Sequence, residues 1–175
     1  GLAEQSNGLF EQATKSVRAL VKALRSAGTD LTIVSTAGSC TGMLKHEAHE
    51  ILGLHDTELA DVGTRIREIS EFLMELHEAG ELPTDFEPIK QRLPYHAPCQ
   101  LKSQGMGTPA FDLLLLIPGL EVVDSNATCC GIAGTYGLKK EKYDIAQAVG
   151  KPLFDMVKQT EQGLAADLPV DQAPC

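Results

Sequence analysis

Positive charge is scarce in this chain: 15 Lys and Arg stand against 24 Asp and Glu, a formal net charge of −9 with a pI near 5.0. A protein that tracks nucleic acid must neutralise phosphates along a groove, so that class of partner is excluded. Long apolar runs are missing too. The longest, Leu113 to Ile117, is stopped by Pro118 and is far too short to cross a bilayer. No basic-then-apolar secretory signal opens the chain, and there is no tandem repeat or low-complexity segment. Five cysteines, an odd number at irregular spacing, do not make the framework of a small secreted disulfide domain. The charged fraction of 22% is ordinary and argues against disorder. What remains is a chain of 175 residues, 43% hydrophobic, long enough for one good core or two small lobes. It begins on Gly1-Leu2-Ala3 rather than Met and reads as a piece of a longer protein.

Hydrophobic spacing orders the rest. Residues 8 to 27 predict an amphipathic helix with Leu9, Ala13, Val17, Leu20, Val21 and Leu24 on one stripe, stopped by Gly28. Leu31 to Ser35 predicts a short buried strand, followed by a small-residue loop, Thr36 to Thr41, and a helix through Met43, Leu44 and Glu47. A second helix is predicted over 58–79 from Leu59, Val62, Ile66, Ile69, Leu73 and Leu76. Gly80 to Gln91 reads as a linker. The grammar then recurs: a strand at Leu93 to His96, a loop at Pro98 to Gly107, a helix at Thr108 to Ile117 and a strand at Glu121 to Asp124. A final helix over Lys139 to Lys158 should break near Gly150-Lys151-Pro152. Strands alternating with helices imply parallel pairing, so the expected class is α/β. Two similar lobes are expected, residues 1–85 and 93–175, each with a short parallel sheet, flanking helices and cysteine-bearing loops at strand ends.

Chemistry concentrates in Cys129-Cys130-Gly131-Ile132-Ala133-Gly134-Thr135-Tyr136-Gly137 and in His96-Ala97-Pro98-Cys99. Neighbouring cysteines rarely bond to each other, because the small ring they would close is strained. A vicinal pair in a loop with little bulk is better explained by two thiolates reaching one metal centre. The glycines let the chain turn sharply and bring N–H groups of Gly131, Gly134 and Thr135 toward the sulfurs. Cys99, Cys129, Cys130 and Cys175 all fall on loops after strands, and four thiolates from separated loops can enclose an iron–sulfur cluster. Zinc in a closed thiolate site is the alternative. Cys40 sits where a loop meets a helix N-terminus, a place that favours thiolate. His96 is an alternative ligand, whereas His46, His49, His55 and His77 read as a solvated face. Lys139 and Lys140 could place positive charge near an anionic cluster or be ordinary surface lysines.

These same stretches, with Ile117-Pro118-Gly119-Leu120 and the continuation Leu138-Lys139-Lys140-Glu141, closely resemble the cysteine-rich CCG family. Its members include the cysteine-rich subunits of anaerobic glycerol-3-phosphate dehydrogenase and heterodisulfide reductase, and the iron–sulfur subunits of glycolate and lactate oxidation. The family pattern is a single Cys, then Cys-Cys-Gly, then Cys-x-x-Cys, usually given twice. Cys99, Cys129 and Cys130 match the second copy, and Cys175 matches its last cysteine, with Gln172 where the family has Cys. Ser39-Cys40-Thr41 with Met43-Leu44-Lys45-His46-Glu47 resembles the end of the first copy. The resemblance implies a 4Fe-4S cluster, cubane or non-cubane, in a subunit that does no substrate chemistry of its own. Electrons would come from flavoprotein dehydrogenase subunits oxidising glycerol 3-phosphate in anaerobic respiration. They would pass to the membrane quinone pool, with the complex held peripherally on the inner face of the cell membrane.

Overall fold

In the computed structural model, residues 1–164 are described, with side chains up to residue 160. They form two units, one from Gly1–Phe72 with Gln100–Gly107, the other from Leu73–Cys99 with Thr108 onward.

The first unit starts with the short helix α1 (Leu2–Ser6) and the long α2 (Phe10–Ala27). Ala13, Val17 and Val21 recur every four residues and are the buried stripe of α2. Leu9 and Leu20, expected on that stripe, are exposed. Strand β1 (Ile33–Ser35) leads into α3 (Gly38–Gly42), a π-helical turn (Met43–Glu47) and α4 (Ala48–Glu50). The helix therefore begins at Gly38, and Cys40 lies inside its first turn rather than ahead of it.

The single helix expected over 58–79 is divided. Helix α5 (Thr57–Arg65) ends, strand β2 (Ile66–Glu68) follows, and α6 (Ile69–Glu78) begins at once. β2 pairs parallel with β1, Ile33 opposite Ile66 and Ser35 opposite Glu68. Two forces override the helical spacing. The backbone polar groups of β1 need a partner strand once that segment packs against the core. Ile66 and Glu68 also alternate into the interior, 2% and 6% exposed. Glu68 then starts the new helix: its carboxylate accepts the Ser70 N–H at 2.8 Å and the Ser70 hydroxyl. Glu71 reaches back to the Glu68 N–H at 3.1 Å and pairs with Lys45 at 2.8 Å. Val17, Val21, Met43, Leu44, Ala48, Leu54, Leu59, Val62 and Ile66 make the core of this unit.

In the second unit β3 (Gln91–Tyr95) pairs parallel with β4 (Leu120–Asp124), Gln91 opposite Leu120 and Tyr95 opposite Asp124. The ladder gains one bond at each end, Ile89 N–H to Pro118 O and Ser125 N–H to Tyr95 O, both 2.8 Å. The connection between the strands carries α7 (Cys99–Lys102), where a loop was expected, and α8 (Pro109–Leu115), with Pro109 in its first turn. The Tyr95 and Phe111 rings meet edge to face, centroids 5.4 Å apart.

After β4 the chain makes two 3₁₀ turns, Tyr136–Leu138 and Lys140–Lys142, and enters α9 (Tyr143–Leu164). The break expected near Gly150-Lys151-Pro152 does not occur; Pro152 lies inside a continuous helix. A proline there forfeits one backbone bond. That loss is offset by packing, because Ala146 and Gly150 lie directly under the double-cysteine loop. The α/β class with two short parallel sheets flanked by helices is thus realised, and cysteine-bearing segments follow β1, β3 and β4.

Candidate metal centre

Parallel strands end on the same side, so the segments leaving β3 and β4 are neighbours by construction. The first is His96-Ala97-Pro98-Cys99, with Ala97 buried and Cys99 opening α7. The second is Ser125-Asn126-Ala127-Thr128-Cys129-Cys130-Gly131. The Cys99 thiol points at the second segment, its Sγ 3.8 Å from the Thr128 carbonyl oxygen. Cys99 is exposed and the double-cysteine pair is half-buried.

The loop after Cys129 is seated by glycines. Gly131 has φ +92, and a Cβ there would lie 2.1 Å from the Ala146 carbonyl oxygen on α9. A Cβ on Gly150 would lie 2.5 Å from the Cys130 carbonyl oxygen, and one on Gly137 would lie 2.6 Å from that of Gly131. Main chain rests on main chain at three points. Ala133, at φ +44, carries a left-handed conformation without being glycine. The turn aims the Gly131 N–H at the Cys129 sulfur, 3.3 Å away. Of the N–H donors expected from sequence, this one reaches a thiol. Such bonds stabilise thiolate and tune a metal held by it.

His96 Nδ1 lies 2.9 Å from the Ser125 hydroxyl, which also accepts the Ala127 N–H at 3.2 Å. Lys142 sits over the Tyr136 ring, 5.6 Å from its centroid. Lys139 and Lys140 are exposed. Cys40 belongs to the other unit, exposed on α3, whose Gly38 carbonyl accepts the Gln104 side-chain N–H at 2.9 Å. Cys175 lies outside the described residues.

Among the described residues, no three His, Cys, Asp or Glu side chains converge closely enough to grip a single metal ion. A multi-iron core spaces its thiolates farther apart than one ion does. Soft sulfur donors on two adjacent loops, one of them receiving a backbone N–H, fit that core chemically. Two residues that the sequence did not assign to the site belong to this region. Ser125, directly after β4, is one. The other is Gly150, which the sequence marked only as part of an expected helix break at Gly150-Lys151-Pro152.

Residues 93–168 match the family model described as a cysteine-rich domain, CCG, so the chain carries a CCG cysteine-rich domain. Among curated relatives, it is 34% identical over 158 residues to a subunit of the anaerobic glycerol-3-phosphate dehydrogenase of Escherichia coli, covering 89% of this chain and 39% of that protein. It is 28% identical over 161 residues to a lactate utilization protein of Oceanobacillus iheyensis, covering 89% and 63%. It is 35% identical over 106 residues to an uncharacterized iron–sulfur protein of Methanocaldococcus jannaschii, covering 60% and 21%. The chain thus spans about two fifths of the glycerol-3-phosphate dehydrogenase polypeptide it matches. No solved structure matches it. The CCG domain and the iron–sulfur relative together support an iron–sulfur cluster as the group this domain serves. Among the described residues, no helix is long and apolar enough to cross a membrane.

Proposed function

We propose that this chain is the electron-transfer part of an oxidoreductase subunit, in which Cys99, Cys129 and Cys130 hold an iron–sulfur cluster of the 4Fe-4S class. The observation that carries the reading is the meeting of the two loops beyond β3 and β4, with the Cys99 sulfur against Thr128, the residue next to the cysteine pair. Cys175 is the natural fourth thiolate, and Cys40 belongs to a separate, first-copy site. The division into lobes at 1–85 and 93–175 follows the same duplication. When bound, the cluster supplies a one-electron couple; the protein's own contribution is to present thiolates, donate the Gly131 N–H to Cys129 and limit water around the half-buried pair.

The similarity to the Escherichia coli protein favours a flavoprotein dehydrogenase oxidising glycerol 3-phosphate as the electron source. The membrane quinone pool is then the acceptor, with the complex peripheral on the inner face of the membrane. Lactate oxidation is the second reading, favoured by the similarity to the Oceanobacillus protein.

Protein prepared without oxygen should contain iron and acid-labile sulfide and show a brown, dithionite-bleachable spectrum. Cys130→Ser should lose most of both. Colourless protein carrying zinc and no iron would sink the reading. Reduction by a glycerol 3-phosphate dehydrogenase flavoprotein, compared with a lactate dehydrogenase flavoprotein, separates the two electron sources.

A further inference from the structure

We propose that His96 and Ser125 are positioning residues that fasten the Cys99 turn to the double-cysteine loop and so set the spacing of the three thiols. The purpose of that spacing rests on the iron–sulfur reading above; the clamp itself rests on geometry. The β3–β4 ladder stops after a single extra bond, Ser125 N–H to Tyr95 O at 2.8 Å. Beyond it the two segments diverge, the first into a helical turn at Cys99, the second through Asn126 at φ +49. A two-stranded sheet gives diverging loops no third strand to lean on.

The Ser125 hydroxyl fills that gap. It lies 2.9 Å from His96 Nδ1 on the first segment and accepts the Ala127 N–H of the second at 3.2 Å. A hydroxyl has one proton and two lone pairs, so it serves both contacts in either imidazole tautomer. Ala127 leads to Thr128, whose carbonyl oxygen is 3.8 Å from Cys99 Sγ, and Cys99 returns through Pro98 and Ala97 to His96. The contacts close a ring: His96, Ser125, Ala127, Thr128, Cys99. Both His96 and Ser125 are half-buried, which shields their bond from competing water. His96 thus acts on the Cys99 turn through Ser125, by way of Nδ1.

The test uses the full metal-free, reduced chain, with Cys130→Ser in every sample so that Cys99 and Cys129 are read as a pair. A short bifunctional thiol reagent is added, and the linked peptides are counted by mass spectrometry over time. Ser125→Ala and His96→Ala should each slow Cys99–Cys129 linkage by about fivefold to tenfold, the effect of losing one hydrogen bond. The double variant should be no slower than the worse single one, because both remove the same tie. Ser125→Thr and His96→Asn, which keep a hydroxyl and a donor, should stay within about twofold of the parent. Far-ultraviolet circular dichroism of each variant reports whether it has unfolded. Unchanged linkage in the alanine variants, independent additive losses, or failure of the Thr and Asn variants to restore linkage overturns the clamp. So does loss of iron from His96→Asn made with Cys130 intact and prepared without oxygen, when linkage is unchanged, since that makes His96 a ligand. If linkage behaves as expected while the parent chain binds no iron, the iron–sulfur reading fails and the clamp stands.

Discussion

Alanine at position 150 should destabilise the protein, although helix propensity alone says the opposite. Gly150 lies inside α9, where Gly→Ala ordinarily gains about 1 kcal/mol. The new Cβ, however, would lie 2.5 Å from the Cys130 carbonyl oxygen and 2.6 Å from the tip of the Phe154 ring. The ring can swing aside. The carbonyl belongs to the double-cysteine loop, which must lift by roughly 0.9 Å to restore ordinary contact at 3.4 Å. Overpacking of this kind costs about 1–3 kcal/mol, and a backbone obstacle places it at the upper end. The net loss is about 1–2 kcal/mol, or ~2–8 °C in Tm for a protein of this size. Thermal unfolding of the metal-free protein followed by circular dichroism measures it. Val149→Ala, on the exposed face of the same helix, serves as the neutral control. A Gly150→Ala protein that melts higher than the parent refutes the close seating of the loop on α9.

Gly131→Ala should be worse, by about 3 kcal/mol or more, since φ +92 and a Cβ 2.1 Å from a carbonyl oxygen both oppose it; denaturant titration gives the value. Val62→Ala, at a residue with no exposed surface in the first unit's core, should lower stability by about 1.5–3 kcal/mol by the same measurement. The Arg65 guanidinium bonded to Asp61, joined by Arg25 at 2.9 Å, holds the Asp61 carboxyl below its ordinary value of 3.8. A carboxylate lowered on folding stabilises above its unfolded pKa, and that stability disappears as pH falls through the lowered one. The gap in Tm between the parent and Asp61→Asn should therefore be full at pH 6 and close progressively below about pH 4; a gap that widens in acid contradicts the pairing.

The amphipathic stripe of α2, the strands at β1, β3 and β4 and the parallel class were legible because each depends on local spacing. The β2 segment was not. Ile66-Arg67-Glu68 continues a helical pattern on both sides, and what overrides it is the demand of β1 for a partner 33 residues away in register. Continuity of α9 through Pro152 was hidden for a similar reason: sequence shows the proline, while the loop packed on Ala146 and Gly150 is a tertiary fact. Cys99, Cys129 and Cys130 stood out by type and spacing. Ser125 did not, because a serine after a strand is commonplace until an imidazole is found beside it.

The seat beneath Cys129 and Cys130 is largely peptide atoms at Gly131, Gly137 and Gly150, with the Phe154 ring beside Gly150 and the Ala146 methyl beside Gly137. Rotamer hopping, the commonest fast motion inside a protein, has little there to act on beyond the Phe154 ring. The positions of the two sulfurs accordingly follow the slow breathing of a whole helix and not the flicker of individual neighbours. A cluster of the proposed kind, which would accept and surrender an electron with little atomic rearrangement, is well served by such a footing.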